Sequence, residues 1–73
     1  MSPCGMRLRA RVARNLRRLR AERGLTQEEV AERADLNRNY IGMIEREENS
    51  PTVDAIERIA AALQVDAVAL FER

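Results

Sequence analysis

One short pattern occurs three times in this 73-residue chain and constrains its fold more than any other feature. An apolar residue is followed by a side chain that can accept a hydrogen bond, then by three positions and a second apolar residue. The pattern reads LTQEEV at 25–30, LNRNYI at 36–41 and VDAVAL at 65–70. The polar side chain can cap a backbone N–H at a helix start, and the apolar pair can pack as a hydrophobic staple. The repeated pattern therefore predicts three helix starts, capped by Thr26, Asn37 and Asp66.

Two further helices complete an all-α prediction. Apolar residues at helical spacing precede Gly24, which marks the end of a first helix, and Ser50 or Thr52 caps a fourth helix. The predicted helices cover residues 7–22, 27–34, 38–46, 53–63 and 67–72. They form a single domain over 7–73, which follows a flexible N-terminal tail over 1–6. The predicted core consists of Leu16, Leu19, Leu25, Val30, Leu36, Ile41, Ile44, Ile56, Ile59, Leu63 and Leu70.

The composition argues against several classes of protein. There is no apolar run of membrane-spanning length and no secretory signal, so we expect a cytoplasmic protein. A single cysteine, Cys4, and the absence of histidine exclude an internal disulfide and a histidine metal ligand. The acids are scattered and no phosphate-cradling glycine loop occurs. We therefore expect no enzymatic activity, no metal and no cofactor.

The positive charge is concentrated at the N-terminal end of the chain. Residues 1–23 hold eight arginines against Glu22 alone, whereas residues 24–73 hold five arginines and eleven acids. Guanidinium groups match phosphate oxygens, so the basic segment could contact a nucleic acid. Alternatively, these arginines line a solvated helix face and pair with acids elsewhere in the domain. The composition leaves both possibilities open.

The second and third predicted helices are short and are joined by ADLN, a spacing typical of a helix-turn-helix unit. Such a turn needs one residue at positive φ, and Asp35 is the candidate because aspartate tolerates that conformation. In a projection of 38–46, one side of the helix carries Arg38, Asn39, Gly42, Met43 and Arg46. These side chains suit base edges: arginine for guanine, asparagine for adenine and an apolar group for the thymine methyl. The alternative is an ordinary solvated face.

Gly42 lies in the middle of that outer side. Glycine within a helix costs about 1 kcal/mol relative to alanine, but its missing side chain would allow a close approach to DNA. We therefore expect Gly42→Leu to leave the fold intact while abolishing DNA binding.

The motifs GLTQEEVA, NRNYIGMIER, NSPT and AALQV, in this order and spacing, resemble the lambda-repressor-like, Xre-type helix-turn-helix family of prokaryotic transcription regulators. Within that family, LNRNYIGMIER and the small size are similar to the controller proteins of restriction–modification systems. The resemblance implies a compact five-helix domain with a helix-turn-helix formed by helices 2 and 3, and a recognition helix over 38–46. It also implies a structural ion pair between Arg20 and Glu45. Glu47 departs from the usual glycine, so we expect the turn after the recognition helix to differ.

The resemblance also implies roles for single residues. It gives base-reading roles to Arg38, Asn39 and Met43, and contacts with phosphate or a neighbouring base to Gln27, Asn37 and Tyr40. Arg46 corresponds to a phosphate contact. With Gly42, the predicted DNA-binding residues are Gln27, Asn37, Arg38, Asn39, Tyr40, Gly42, Met43 and Arg46.

Val68 and Ala69 stand where the family usually has charges, beside the apolar Leu70 and Phe71. These apolar residues predict a homodimer interface formed by Val65, Val68, Leu70 and Phe71. Two-fold pairing would place two recognition helices about 34 Å apart on a palindromic operator. The alternative is that Val68 and Phe71 close the core of one monomer. The expected partners are double-stranded DNA and a second copy, with no membrane and no small-molecule effector.

Two other functions compete with sequence-specific DNA binding. An antitoxin-type protein-interaction module would keep the same fold and autoregulate through it, but it needs an additional binding surface. Attachment to a membrane surface through the basic first helix is the other possibility. That helix has no aromatic anchors, and its apolar stripe is needed for the core.

Overall fold

A computed structural model describes residues 7–73 of the chain. These residues form four α-helices and a 3₁₀ helix, and no strand occurs among them. The elements are α1 (Leu8–Glu22), α2 (Gln27–Ala34), α3 (Arg38–Glu45), α4 (Val53–Leu63) and the 3₁₀ helix (Ala67–Phe71). The all-α prediction is confirmed for this part of the chain. The predicted tail over 1–6, with Cys4, lies outside the described residues.

The predicted caps are present at the helix starts. The Thr26 hydroxyl accepts from the Glu29 backbone N–H at 3.1 Å, and the Glu29 carboxylate accepts from the Thr26 N–H at 2.8 Å. That second hydrogen bond holds the pKa of the Glu29 carboxyl below its ordinary value of 4.5. The Asn37 and Asp66 side chains cap their helices with a single bond each, from the N–H two residues further on, and Thr52, rather than Ser50, caps α4. The repeated pattern therefore marks three true helix starts.

The fifth predicted element is a 3₁₀ helix over Ala67–Phe71 and not an α-helix over 67–72. At five residues it is longer than most 3₁₀ segments. The buried Asn15 of α1 also fixes its end, because the Asn15 amide donates to the carbonyl oxygens of Leu70 at 3.0 Å and Glu72 at 2.6 Å. These two bonds use carbonyls at the end of the segment, where the backbone becomes extended. Sequence reasoning missed Asn15, although a polar residue between the core positions Val12 and Leu16 was a visible signal.

The core lies where the four α-helices and the 3₁₀ helix meet. All predicted core residues are buried except Leu36, which is half-buried at the turn between α2 and α3. α2 packs against α3 and α4, while α1 packs against α3 and the 3₁₀ helix. The inner side of α3 is fully buried through Ile41 and Ile44. This packing holds α3 at the surface with only one side turned outward.

Several arginines in α1 and directly after it bind groups within the domain. Arg14 donates to the carbonyl of Glu72 at 2.6 Å, Arg23 donates to the carbonyl of Leu63 at 2.5 Å, and Arg18 pairs with Glu22 at 3.2 Å. These arginines are therefore bound within the domain, although Arg14 and Arg23 bind backbone carbonyls rather than acids. Within the described residues, no helix is both long enough and apolar enough to cross a membrane.

Candidate nucleic-acid interface

The turn between α2 and α3 consists of the three residues 35–37. Asp35 has φ 58° and ψ 46°, so it adopts the predicted left-handed conformation. Its N–H donates to the carbonyl of Glu32 at 3.2 Å, and the N–H of Leu36 donates to the carbonyl of Ala31 at 2.8 Å. These bonds satisfy carbonyls that would otherwise lack a partner at the end of α2. α3 can therefore begin at Arg38 with Asn37 as its cap.

A buried ion pair fastens the end of α3 to α1. Arg20 Nε lies 2.7 Å from Glu45 Oε2, and Arg20 Nη2 lies 3.0 Å from Glu45 Oε1. Arg17 also donates to the backbone carbonyl of Glu45. The Glu45 side chain is only 4% exposed, so the two-point contact with Arg20 compensates a buried charge. The predicted pair of Arg20 and Glu45 is confirmed.

The outward side of α3 carries donors and one apolar side chain. Arg38, Asn39 and Arg46 are exposed and Met43 is half-buried. Arg46 pairs with Glu48 at 3.2 Å, and both side chains are more than half exposed. Such a pair contributes little to stability, so the guanidinium remains accessible to another anion.

Gly42 does not face solvent as predicted. It is buried, and a Cβ added to it would lie 3.0 Å from Nη1 of Arg46 and 3.6 Å from Oε1 of Gln27. Arg46 lies one helical turn further along the same face, and its side chain folds back over the glycine. The missing side chain of Gly42 therefore leaves room for the Arg46 guanidinium beside Gln27. The side chains of Arg46 and Gln27 form the surface above Gly42.

The predicted effect of substituting Gly42 changes accordingly. Gly42→Ala should raise the free energy of unfolding by up to about 1 kcal/mol, because only the flexible end of Arg46 has to move. Gly42→Leu should displace both Arg46 and Gln27, and so weaken DNA binding much more than Gly42→Ala does. Urea denaturation and DNA-binding titrations of the two variants measure these effects. Equal DNA affinity of the two variants would contradict the idea that Gly42 leaves room for Arg46 and Gln27.

Gln27, at the start of α2, is half-buried and its Nε2 donates to Glu45 Oε1 at 2.9 Å. It lines an open depression of about 330 Å³ whose other lining residues include Arg20, Thr26 and Arg38. Sequence reasoning selected Gln27 as a DNA contact but missed its bond to Glu45. Sequence spacing carries no signal for that bond, because it depends on how α2 and α3 pack.

Asn37 and Tyr40 lie at the start of α3, and both use polar groups within the domain. The side-chain oxygen Oδ1 of Asn37 accepts from the Asn39 N–H at 2.7 Å. Tyr40 is half-buried and its hydroxyl accepts from the Thr52 N–H at 3.3 Å, which links α3 to the start of α4. The Tyr40 hydroxyl retains its own proton for donation to an external acceptor.

The turn after α3 keeps the conformation that a glycine would take. Glu47 has φ 64°, and its N–H donates to the carbonyl of Ile44 at 3.0 Å. The N–H of Glu48 donates to the carbonyl of Met43 at 2.8 Å. Glu47 thus adopts the left-handed conformation at some cost in strain, and the expected difference between this turn and that of the family stays a prediction.

The predicted dimer interface separates into two groups. Leu70 is fully buried and belongs to the core of the monomer, because Asn15 holds the 3₁₀ helix with Leu70 inward. Val65 is half-buried and packs on the same core. Val68 and Phe71 remain at the surface, with 67% and 36% of their area exposed. Of the four predicted interface residues, Leu70 is thus corrected to a core residue.

Comparison with known proteins agrees with this geometry. Residues 16–70 match the profile of the family described as Helix-turn-helix. The chain belongs to the helix-turn-helix family. Its similarity to Xre-type regulators, expected from the residues, is thereby confirmed.

Three relatives illustrate the range of this helix-turn-helix family. The uncharacterized transcriptional regulator y4dJ of Sinorhizobium fredii is 43% identical over 65 residues, which cover 89% of this chain and 84% of the relative. The restriction–modification controller protein C.AhdI from Aeromonas hydrophila has a TM-score of 0.84 at 33% identity, covering 86% of this chain and 96% of its own. The controller protein C.Esp1396I, solved as a tetramer with its natural 35-base-pair operator, has a TM-score of 0.82 at 35% identity, covering 90% and 87%. The predicted similarity to controller proteins is confirmed.

Proposed function

We propose that this helix-turn-helix transcriptional regulator binds double-stranded DNA sequence-specifically as a homodimer. In this proposal α2 and α3 form the helix-turn-helix unit and α3 enters the major groove. One observation carries the proposal: α3 turns Arg38, Asn39 and Arg46 outward, while Ile41 and Ile44 on its other side are fully buried. A helix packed in this way can present only that outward side to a partner.

The outward side suits the chemistry of the groove. We assign Arg38 to guanine and Asn39 to adenine, because their side chains can form paired hydrogen bonds with those base edges. Met43 can contact a thymine methyl group. Arg46 is assigned to phosphate, since its side chain is exposed and its ion pair is with the exposed carboxylate of Glu48.

Two-fold pairing follows from the size of the domain. A single module of this kind forms a small interface with limited affinity, whereas two modules on a palindromic operator combine their contacts. The complex of C.Esp1396I with its operator supports binding as a multimer. Val68 and Phe71 are the exposed apolar residues of the 3₁₀ helix that we assign to the interface with the second copy.

Val68→Glu should shift the protein from dimer to monomer. The substitution places a charge in the proposed apolar interface, and Val68 is too exposed for the change to disturb the core. Sedimentation equilibrium measures the shift, and Val53→Glu is the matched control because Val53 is 78% exposed at the start of α4. If the dimer has the same dissociation constant in both variants, the assigned interface is contradicted.

DNA binding itself is tested by salt titration. The affinity for a mixed-sequence DNA duplex should fall linearly on logarithmic axes as salt increases, because arginine–phosphate contacts release counterions. Fluorescence anisotropy with a labelled duplex measures the slope, and vesicles of anionic lipid should not compete. A salt-independent affinity, or no affinity at low salt, would contradict the proposal.

We propose a binding protein without catalytic activity, regulated by its own concentration and dimerisation.

A further inference from the structure

The turn after α3 brings an acid back onto the arginine that ends this helix. Side chains two residues apart do not face each other along a helix, yet Arg46 Nη2 lies 3.2 Å from Glu48 Oε1. The helix ends between them: Glu47 has φ 64°, and the N–H of Glu48 donates to the carbonyl of Met43 at 2.8 Å. The left-handed residue therefore folds the chain back so that the Glu48 side chain reaches Arg46.

The Arg46 guanidinium lies between Gly42 and Glu48. Its Nη1 lies 3.0 Å from the position of a Cβ added to Gly42, and its Nη2 donates to the Glu48 carboxylate. Arg46 thus rests against its own helix and the following turn. A phosphate that binds Arg46 has to compete with the Glu48 carboxylate, because both anions use the same N–H donors.

We propose that Glu48 is an internal competitor of DNA phosphate for Arg46, and that it sets the affinity and the salt dependence of DNA binding. The inference rests on the proposed binding of DNA by the outward side of α3. In the free protein the Glu48 carboxylate neutralises the guanidinium, and in the complex Arg46 exchanges this partner for a phosphate. Because a phosphate contact carries no base information, the exchange lowers the affinity for every DNA sequence by the same factor.

The exposed position of the pair makes the exchange possible. The side chains of Arg46 and Glu48 are 57% and 54% exposed, so water solvates the carboxylate when the pair separates. The buried pair of Arg20 with Glu45 could not exchange partners in this way, because a buried charge would lose its compensation. Glu48 therefore reduces the affinity by a modest factor and does not prevent binding.

Glu48→Gln tests the competition, since it keeps the size of the side chain and removes its charge. Its affinity for a mixed-sequence DNA duplex at about 50 mM salt should be about three- to tenfold higher than that of the unmodified protein. The slope of affinity against salt on logarithmic axes should steepen by up to about 1, because the arginine–phosphate contact no longer replaces an ion pair. Fluorescence anisotropy measures both quantities.

Glu22→Gln is the matched control, because it removes the same charge from an arginine pair on α1. Glu22 lies 3.2 Å from Arg18 and its side chain is 53% exposed, close to the values for Glu48. The control changes the net charge of the protein equally, but Glu22 lies outside the outward side of α3. Its affinity for the same duplex should therefore rise by less than about twofold.

The double variant Arg46→Ala with Glu48→Gln separates competition for Arg46 from general repulsion between the acid and DNA. If Glu48 acts through Arg46, removing its charge from the Arg46→Ala protein should raise the affinity by less than about twofold. General repulsion would instead give the same gain with and without Arg46.

Three results would overturn the inference while leaving the proposed function in place. They are an unchanged affinity in Glu48→Gln, an equal gain in Glu22→Gln, and a gain from Glu48→Gln that is the same in the Arg46→Ala protein. If the unmodified protein binds no duplex at low salt, the proposed function and this inference fail together.

Discussion

Arg20→Ala should lower the free energy of unfolding by about 3–5 kcal/mol, the usual cost of leaving a buried charge without its partner. The Glu45 side chain is 4% exposed and the Arg20 side chain 23% exposed, so the carboxylate that loses its partner is largely withdrawn from water. The variant also loses the bond from Arg20 to the carbonyl of Leu25. For a domain of this size the midpoint of thermal unfolding should fall by about 12 °C or more. Circular dichroism during heating and during urea titration measures both quantities.

Arg18→Ala is the matched control for this experiment, since it removes another arginine of α1. Arg18 pairs with Glu22 at 3.2 Å, but their side chains are 43% and 53% exposed. Exposed pairs of this kind contribute about 0–1 kcal/mol. If the two variants lose the same free energy of unfolding, the pair between Arg20 and Glu45 has no special role in holding α3.

Arg38→Ala and Arg46→Ala should weaken DNA binding in different ways. Arg38→Ala should remove about 1–3 kcal/mol of discrimination at one base pair, because its guanidinium is assigned to a guanine edge. Arg46→Ala should weaken binding to every sequence and reduce the slope of the salt dependence by about 1, since a phosphate contact is lost. Anisotropy titrations with the selected operator, its single-base variants and an unrelated duplex separate the two effects.

The two arginines act as controls for each other, because both are exposed and neither is part of the core. The roles would be exchanged if Arg38→Ala lowered the affinity for all DNA sequences equally and Arg46→Ala lowered discrimination at a single base pair. If neither variant loses affinity, the outward side of α3 is not the DNA-binding surface.

The helix starts were predictable because their causes are local. The caps Thr26, Asn37 and Asp66 act on N–H groups two or three residues away, so the sequence pattern carries all of the required information. The left-handed Asp35 and the buried side of α3 were predictable for similar reasons. The ion pair of Arg20 with Glu45 was expected only through the family resemblance.

The remaining features depend on packing between distant segments. Leu70 was assigned both to the core and to an interface, and the contact with Asn15, 55 positions earlier, decides for the core. The environment of Gly42 depends on the rotamer of Arg46 and on Gln27 from another helix, which a helical projection does not contain. The projection gave the correct side of α3 but not the side chains that cover it.

Selection of bound duplexes from a random pool by the unmodified protein is the most direct measurement of sequence-specific DNA binding as a homodimer. We expect an enriched operator with two inverted half-sites whose centres are about 10 base pairs apart, bound by two copies of the chain. A pool that stays random, or a single site without an inverted repeat, would contradict the proposed function.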